Sequence, residues 1–164
     1  MYLGLLVDTN RFKMHTSART FETAATLRIW GANANFAEKA LCENIGDFRL
    51  RTELVSQGEM FFDHFIIAAI EDKELDRTMM SQVSDSLLKI KGCQASFTIA
   101  RTKADPNCVA VSARSDGTFN VQKIMEKMHG GGHFAAAALE RKDTTVGAIK
   151  DELLKCLKED LQKS

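Results

Sequence analysis

The sequence predicts an α/β fold in which short buried strands alternate with amphipathic helices. Three apolar runs, over 62–70, 95–100 and 109–113, have the length and composition of buried strands. Elsewhere apolar side chains recur at helical spacing. The clearest helical stripe consists of Val121, Ile124, Met125 and Met128. With 45% hydrophobic residues, a chain of 164 positions is long enough to bury a core of this class.

The N-terminal third is predicted to hold one strand and three helices. Residues 3–7 form a short apolar run that is typical of a strand and that ends at Asp8. We expect Thr20 to cap a helix beginning at Phe21, because a threonine hydroxyl can accept a hydrogen bond from an N-terminal amide. The two connecting helices are predicted over 34–41 and 47–60.

A domain boundary is placed near Gly58, so that residues 1–57 form a first domain and 58–164 a second. In the second domain the strand over 62–70 leads to a helix with apolar residues four positions apart. A break over 103–107, which holds the only proline, precedes the strand over 109–113. The last helix is predicted over about 146–161. Its inward residues are Val146, Ile149, Leu153 and Leu157.

Composition and charge argue against several function classes. The 22 basic and 22 acidic residues balance, which disfavours a broad surface for long nucleic acid. The longest apolar run, over 65–70, is far shorter than a membrane span, and no signal segment opens the chain. The four cysteines form no C-x-x-C pair, which favours free thiols. We therefore expect a cytoplasmic module without direct membrane contact.

The segment Gly130-Gly131-Gly132-His133 is the first candidate site. One glycine after a helix is an ordinary C-terminal cap, but three exceed what a cap requires. Bare glycine amides ahead of a new helical turn can converge on a phosphate oxygen, and an imidazole beside them can add a hydrogen bond or a charge. The alternative is a flexible turn with an incidental histidine.

A second candidate lies upstream, where Ser112-Ala113-Arg114-Ser115 ends the strand over 109–113. The planar fork of Arg114 matches two phosphate oxygens, although a single arginine is more often a solvated surface residue. The predicted order is strand, turn, helix and glycine loop. This order could place Arg114 and His133 at the two edges of one cleft.

Taken together, five segments resemble the DHH-associated domain of the DHH phosphoesterase superfamily. They are 95–97, 112–115, 120–122, 124–126 and 130–133. Within the superfamily the resemblance is closest to the C-terminal part of the membrane-anchored bacterial cyclic-di-AMP phosphodiesterases. His129 departs from a usual glycine, and Leu139-Glu140 follows Ala138 without the glycine common in oligonucleotide-cleaving relatives. The second departure favours the cyclic-dinucleotide branch.

The resemblance also assigns domains and site residues. It implies a C-terminal remnant of a DHH catalytic domain over 1–57, followed by a smaller, mixed-sheet α/β DHH-associated domain over 58–164. It identifies Asp8 as a ligand of a catalytic pair of manganese ions, where residues alone would suggest a turn or cap. It assigns Arg19 to substrate phosphate, with a neighbouring carboxylate as the alternative. The implied substrate-binding set is Arg19, Ser112, Arg114, Gly130, Gly131, Gly132 and His133.

The family's other metal ligands, including its aspartate-histidine-histidine motif, have no counterpart here. Because a two-metal site needs several carboxylates and imidazoles, we expect no complete catalytic site in this chain. The parent enzyme is expected to hydrolyse cyclic-di-AMP to a linear two-adenylate product. The alternatives are a short oligoribonuclease, a phosphatase of bisphosphorylated adenosine, and a non-catalytic dinucleotide-binding module.

The expected partner is therefore a cyclic dinucleotide or a short adenylate oligonucleotide. The resemblance further implies a parent anchored in the cell membrane, with this part in the cytoplasm, and it suggests a homodimer.

Overall fold

A computed structural model describes residues 1–13 and 16–162. The described chain divides into two compact units, Met1–Ile45 and Gly46–Ser164. The predicted boundary near Gly58 lies later in the chain and stays a prediction. No helix of the described residues is long and apolar enough to cross a membrane, so anchoring of a longer parent also stays a prediction.

In the first unit the described residues form three helices. They are α1 (Tyr2–Asp8), α2 (Ala18–Ile29) and α3 (Ala34–Ala40). The Ser17 hydroxyl accepts a hydrogen bond from the Thr20 N–H, and the Thr20 hydroxyl accepts one from the Ser17 N–H. This reciprocal capping box makes Ser17 the N-cap. The prediction that Thr20 caps a helix beginning at Phe21 is therefore wrong by one turn.

The predicted strand over 3–7 is wrong, because these residues belong to α1. A strand needs a neighbouring strand to satisfy its backbone groups, whereas a helix satisfies them within its own segment. The described residues of the first unit contain no strand that could serve as a partner. Asp8 is consequently the last residue of a helix and not the residue that follows a strand.

The second unit is built on a mixed six-stranded sheet, with helices on both faces, as its described residues show. The helices are α4 (Ile45–Val55), α5 (Arg77–Leu87), α6 (Val121–Lys127) and α7 (Val146–Leu161). The strands are β1 (Glu59–Phe61), β2 (Phe65–Leu75), β3 (Ala95–Thr102), β4 (Cys108–Ser115), β5 (Gly131–His133) and β6 (Ala136–Lys142). Their order is β1-β2-β3-β4-β6-β5, and only β2 and β3 are parallel. This confirms the predicted mixed-sheet α/β class.

Alternating side chains on the central strands supply two separate cores. On one face, Phe97 and Val111 pack with the buried sides of α6 and α7. On the other face, Ile66 and Ala110 pack with α5 and with Leu54 of α4. Because α4 and α5 cover only part of the second face, the strands at the β5 edge carry less helical cover there.

The predicted strands over 95–100 and 109–113 and the last helix over 146–161 are confirmed. The predicted strand over 62–70 is interrupted at its start, because Phe62 and Asp63 adopt positive φ in the turn between β1 and β2. Leu75 ends β2 and does not begin the next helix. The Asp76 carboxylate caps α5 by accepting the Met79 N–H at 2.7 Å.

The end of α6 fixes where the glycine segment begins. The Gly130 N–H donates to the Met125 carbonyl at 2.7 Å, and the His129 N–H donates to the Glu126 carbonyl at 3.0 Å. These two bonds form a Schellman motif, in which the first residue beyond the cap takes a left-handed conformation. His129 occupies that position with φ +65°. His129 therefore stands at a position where the backbone conformation favours glycine, the residue usual in the family.

We predict that His129→Gly raises the free energy of unfolding by about 0.5–1 kcal/mol. A Cβ in the left-handed region costs about 1–2 kcal/mol, and the greater freedom of glycine in the unfolded chain offsets part of that gain. Urea unfolding measures the change. His129→Ala is the matched control, because it removes the imidazole and keeps the Cβ. Equal stabilities of the two variants would show that the backbone strain is not the cause.

Candidate functional site

The glycine segment is an edge strand and not a loop before a helix. Gly131–His133 forms β5, which pairs antiparallel with β6. The expectation that the glycine amides precede a new helical turn is therefore wrong. The alanine run that follows the segment turns back as β6, with Gly131 opposite Ala138 and His133 opposite Ala136.

The structure requires glycine at two of the three positions and leaves space for a side chain at the third. A Cβ on Gly130 would lie 2.4 Å from the Ala138 carbonyl oxygen, and one on Gly132 would lie 2.4 Å from the Ala137 Cα. Gly132 also has φ +148°, which side chains rarely adopt. Close approach of the two backbones thus requires glycine at both positions. A Cβ on Gly131 would meet no atom within 4 Å.

Strand register brings the two candidate segments to one face of the sheet. Arg114 lies opposite Ala136, which lies opposite His133. Residues directly opposite each other in antiparallel strands share a face, and adjacent strands are about 5 Å apart. The Cα atoms of Arg114 and His133 are therefore roughly 10 Å apart, with only an alanine between them.

The neighbouring row on the same face holds the other predicted residues. Ser112 lies opposite Ala138, which lies opposite Gly131. Small side chains thus form an open floor across β4, β6 and β5. Arg114 and His133 thus share a face of the sheet, and their place at the two edges of one cleft stays a prediction.

A groove of about 520 Å³ lies over this floor. Residues of α5 form one side, and the glycine segment lies along the other. The lining includes Arg77, Ser81, Ser112, Arg114, Gly130, Gly131, Gly132, Ala136, Ala138 and Glu140. The exposed His133 side chain is outside this lining, one strand beyond Ala136.

The Arg114 guanidinium is fixed in place by α5. Its Nη2 donates to the Ser81 hydroxyl at 3.0 Å, and its Nη1 donates to the Ala113 carbonyl at 2.9 Å. Its Nε lies 3.3 Å from a carboxylate oxygen of Asp85. A guanidinium has five N–H groups, so one on each terminal nitrogen is left for a ligand. Only 23% of the side chain is exposed, which leaves little freedom to lose on binding.

Ser112 belongs to a set of hydroxyls between α5 and the sheet. Its own hydroxyl lies 3.5 Å from that of Ser81, and its carbonyl accepts a hydrogen bond from Ser84 at 3.0 Å. Ser84 also lies 2.7 Å from the Thr98 hydroxyl, and both residues are buried. The buried Ser112 side chain therefore helps to hold α5 and contributes to the groove through a small polar surface.

A second arginine of the groove was not identified from the sequence. Arg77, the first residue of α5, forms a two-pronged ion pair with Glu140 of β6, with distances of 2.7 and 2.8 Å. The hydrogen bonds that Arg77 donates to the Glu140 carboxylate raise the pKa of Arg77 above its ordinary value. Arg77 and Glu140 are 63 positions apart in sequence, so no local motif indicates their pairing.

Arg141 supports the glycine segment from the opposite face. It donates to the Met128 carbonyl at 2.7 Å, directly before His129, and pairs with Glu152 of α7. The hydrogen bond from Arg141 holds the pKa of Glu152 below its ordinary range. The end of α6, and with it the start of the glycine segment, is thus tied to β6 and α7.

The predicted residues of the first unit are both exposed. Asp8 ends α1, and Arg19 lies in the first turn of α2. In the described part of the chain, no group of three or more histidine, cysteine, aspartate or glutamate residues could hold a metal ion. His15 lies outside the described residues. The described donors therefore do not fit a pair of manganese ions by themselves, and the assignments of Asp8 and Arg19 stay predictions.

Several known proteins are similar to this chain over most of its length. The cyclic-di-AMP phosphodiesterase PdeA of Listeria monocytogenes is 39% identical over 155 residues, or 94% of this chain and 23% of that protein. GdpP of Bacillus subtilis, also a cyclic-di-AMP phosphodiesterase, is 36% identical over 92% of this chain and 23% of its own length. The chain thus spans about a quarter of these two relatives. The bifunctional oligoribonuclease and PAP phosphatase NrnA of Thermus thermophilus is 24% identical over 98% of this chain and 50% of its own length.

The fold also has a counterpart among solved structures. A crystal structure of an exopolyphosphatase-related protein from Bacteroides fragilis superposes with a TM-score of 0.80. The superposition covers 96% of this chain and 49% of the Bacteroides chain. The two sequences are 18% identical, so the likeness is one of fold. Residues 63–163 match the DHHA1 domain. This range contains every element from β2 to α7, and with them Arg77, Arg114 and the glycine segment. The chain therefore belongs to the DHHA1 domain family of the DHH phosphoesterases.

Proposed function

We propose that this chain is the nucleotide-binding part of a metal-dependent phosphodiesterase that hydrolyses cyclic-di-AMP to the linear two-adenylate product. The observation that carries the proposal is the row from Arg114 across Ala136 to His133 on an open sheet face. The similarity to the cyclic-di-AMP phosphodiesterases PdeA and GdpP, at 39% and 36% identity, supports the choice of ligand.

The chemistry of the groove suits a small phosphodiester. Arg114 lines the groove and is held in place by Ser81 and Asp85. Its remaining N–H groups therefore present a fixed positive charge to a ligand. Charge-assisted hydrogen bonds from a guanidinium to phosphate oxygens are among the strongest in proteins. The alanine and glycine floor leaves room for the flat faces of sugar and base. His133 at the far edge could donate a further hydrogen bond to the same ligand.

Catalysis is assigned to the longer parent and not to this chain. Metal ions in such enzymes activate water and stabilise the charge of the reacting phosphate. Asp8 is the residue of this chain that we propose as a contributor to a manganese pair, and Arg19 as a further contact to phosphate. This chain by itself is proposed to bind nucleotide without turning it over.

A second candidate function follows from the likeness to NrnA. A short oligoribonuclease or a phosphatase of bisphosphorylated adenosine would use the same groove for a linear ligand. The preference between cyclic and linear dinucleotides distinguishes the two candidates. A non-catalytic dinucleotide-binding module would share the binding but belong to a parent without hydrolytic activity.

We predict that cyclic-di-AMP and its linear product bind this chain saturably in calorimetry, and that manganese changes the affinity little. Arg114→Ala is expected to lower affinity about ten- to hundredfold, because charge-assisted hydrogen bonds contribute about 1.5–3 kcal/mol. His133→Ala is expected to have a smaller effect in the same direction. Arg101→Ala and His64→Ala are matched controls, since Arg101 lies opposite Val109 on the other sheet face and His64 in the turn before β2.

Equal losses in Arg114→Ala and Arg101→Ala would mean that only net charge matters and would reject the groove as the site. Absence of binding by the unaltered chain would reject the proposal for this chain. Tighter binding of the linear than of the cyclic ligand would favour the oligonucleotide-cleaving alternative.

A second prediction distinguishes a glycine that affects ligand binding from a glycine that affects stability. Gly131→Val is expected to weaken nucleotide binding at least tenfold with no loss of stability, because its side chain enters open space on the groove face. Gly130→Ala is expected to lower the free energy of unfolding by about 1–3 kcal/mol, because its Cβ meets backbone at 2.4 Å. Urea unfolding and calorimetry on both variants provide the comparison. Unchanged binding by Gly131→Val would place the ligand elsewhere.

A third prediction concerns hydrolysis. With manganese present, this chain is expected to convert cyclic-di-AMP at a rate far below that of an intact homologue such as PdeA, because one carboxylate cannot hold two ions. Chromatography of the linear product measures both rates side by side. Comparable rates would show that the chain carries a complete catalytic site.

A further inference from the structure

The ion pair between Arg77 and Glu140 spans the groove at the end away from Arg114. Arg77 lies on α5 and Glu140 on β6, and both line the groove. Both prongs are short, at 2.7 and 2.8 Å, so the guanidinium edge of Arg77 is fully engaged by one carboxylate. The pair connects α5, which forms one side of the groove, to β6 in its floor.

This pair contributes little to holding the fold. The Arg77 side chain is 81% exposed. The helix to which it belongs, α5, is already fixed by apolar packing and by the buried hydroxyls of Ser84 and Thr98. Exposed ion pairs stabilise proteins weakly, because water screens them and long side chains lose freedom. Arg77 can therefore exchange its carboxylate for another anion at small cost to the fold.

The groove consequently has one arginine at each end. Glu140 lies opposite Ala110, four residues along β4 from Arg114, which corresponds to about 13 Å. Each arginine is paired with a carboxylate, Arg114 with Asp85 and Arg77 with Glu140. The two differ in their anchoring. All three nitrogens of Arg114 have a protein partner, and one N–H on each terminal nitrogen is left for a ligand. Among the described residues Arg77 keeps its Nη1 free, but its Nε–Nη2 edge must leave Glu140 before that edge can bind a ligand.

We propose, on the basis of the function proposed above, that Arg77 is a second phosphate-binding residue and that Glu140 is the group which phosphate displaces. A ligand with one phosphate is held at Arg114 and leaves the Arg77 pair closed. A ligand with two phosphates, once bound at Arg114, presents its second phosphate to Arg77 at a high effective concentration and competes with Glu140. The pair thereby selects dinucleotides with two phosphates over those with one.

The experiment compares two ligands that differ by a single phosphate. They are the linear dinucleotide with a 5′-phosphate, pApA, and the same dinucleoside with only its internal phosphate, ApA. Calorimetry on the unaltered chain is expected to show about tenfold tighter binding of pApA. Arg77→Ala is expected to abolish this preference while changing the affinity for ApA less than twofold. Glu140→Gln is expected to increase the preference several-fold, because a neutral amide competes less well for Arg77.

Two controls keep the test independent of folding and of net charge. Arg101→Ala removes the same charge from the opposite face of the sheet and is expected to keep the preference for pApA. Urea unfolding is expected to show native stability for Arg77→Ala, since its side chain is mostly in water. Arg77→Lys is expected to restore only part of the preference, because a lysine cannot form the two-pronged contact.

The outcomes separate this inference from the function on which it rests. If the unaltered chain binds both ligands and Arg77→Ala keeps the preference for pApA, Arg77 is only a partner of Glu140 and the inference is overturned while the proposed function stands. If Arg77→Ala and Arg101→Ala reduce the preference equally, the effect is one of net charge, and the inference is again overturned. If the unaltered chain binds neither ligand, both fail.

Discussion

The register of β4, β6 and β5 is the constraint on which the groove depends. Because side chains alternate between faces, a slip of one residue would send Arg114 into the core and bring Ala113 to the groove. The buried side of β4 prevents that slip, since Val109, Val111 and Ala113 all pack against α6 and α7. The same alternation that builds the core therefore orients the groove residues.

At the edge of the sheet, close contact between backbones, and not side-chain packing, fixes the register of β5 against β6. Gly130 and Gly132 approach β6 so closely that no Cβ fits, while Gly131 between them faces open space. The Schellman motif sets where this segment leaves α6, and Arg141 holds the preceding Met128 carbonyl. Glycine thus has a structural role at positions 130 and 132, while Gly131 leaves the groove open.

The sequence was sufficient for three of the six strands, β2, β3 and β4, and insufficient for the groove. Strands such as β3 and β4 and the helix α7 were predictable because burial on a regular face leaves a periodic trace. The strand predicted over 3–7 was wrong, because a short apolar run does not reveal whether a neighbouring strand exists. Gly131–His133 has no side-chain alternation to mark it as a strand. The pairing of Arg77 with Glu140 depends on the order β4-β6-β5, which brings together residues distant in the chain.

The charge balance of the groove fits the proposed binding of a small anionic ligand by a chain with no net charge. Each of the two groove arginines lies against a carboxylate, Asp85 or Glu140, so the field beyond the groove is weak. An extended nucleic acid gains affinity from many exposed cations along its length, and paired arginines do not supply these. A small ligand instead meets Arg114 at short range, where hydrogen-bond geometry and not net charge decides the interaction. The proposed dinucleotide ligand is short enough to reach both arginines directly, so its binding would not depend on a positive field beyond the groove.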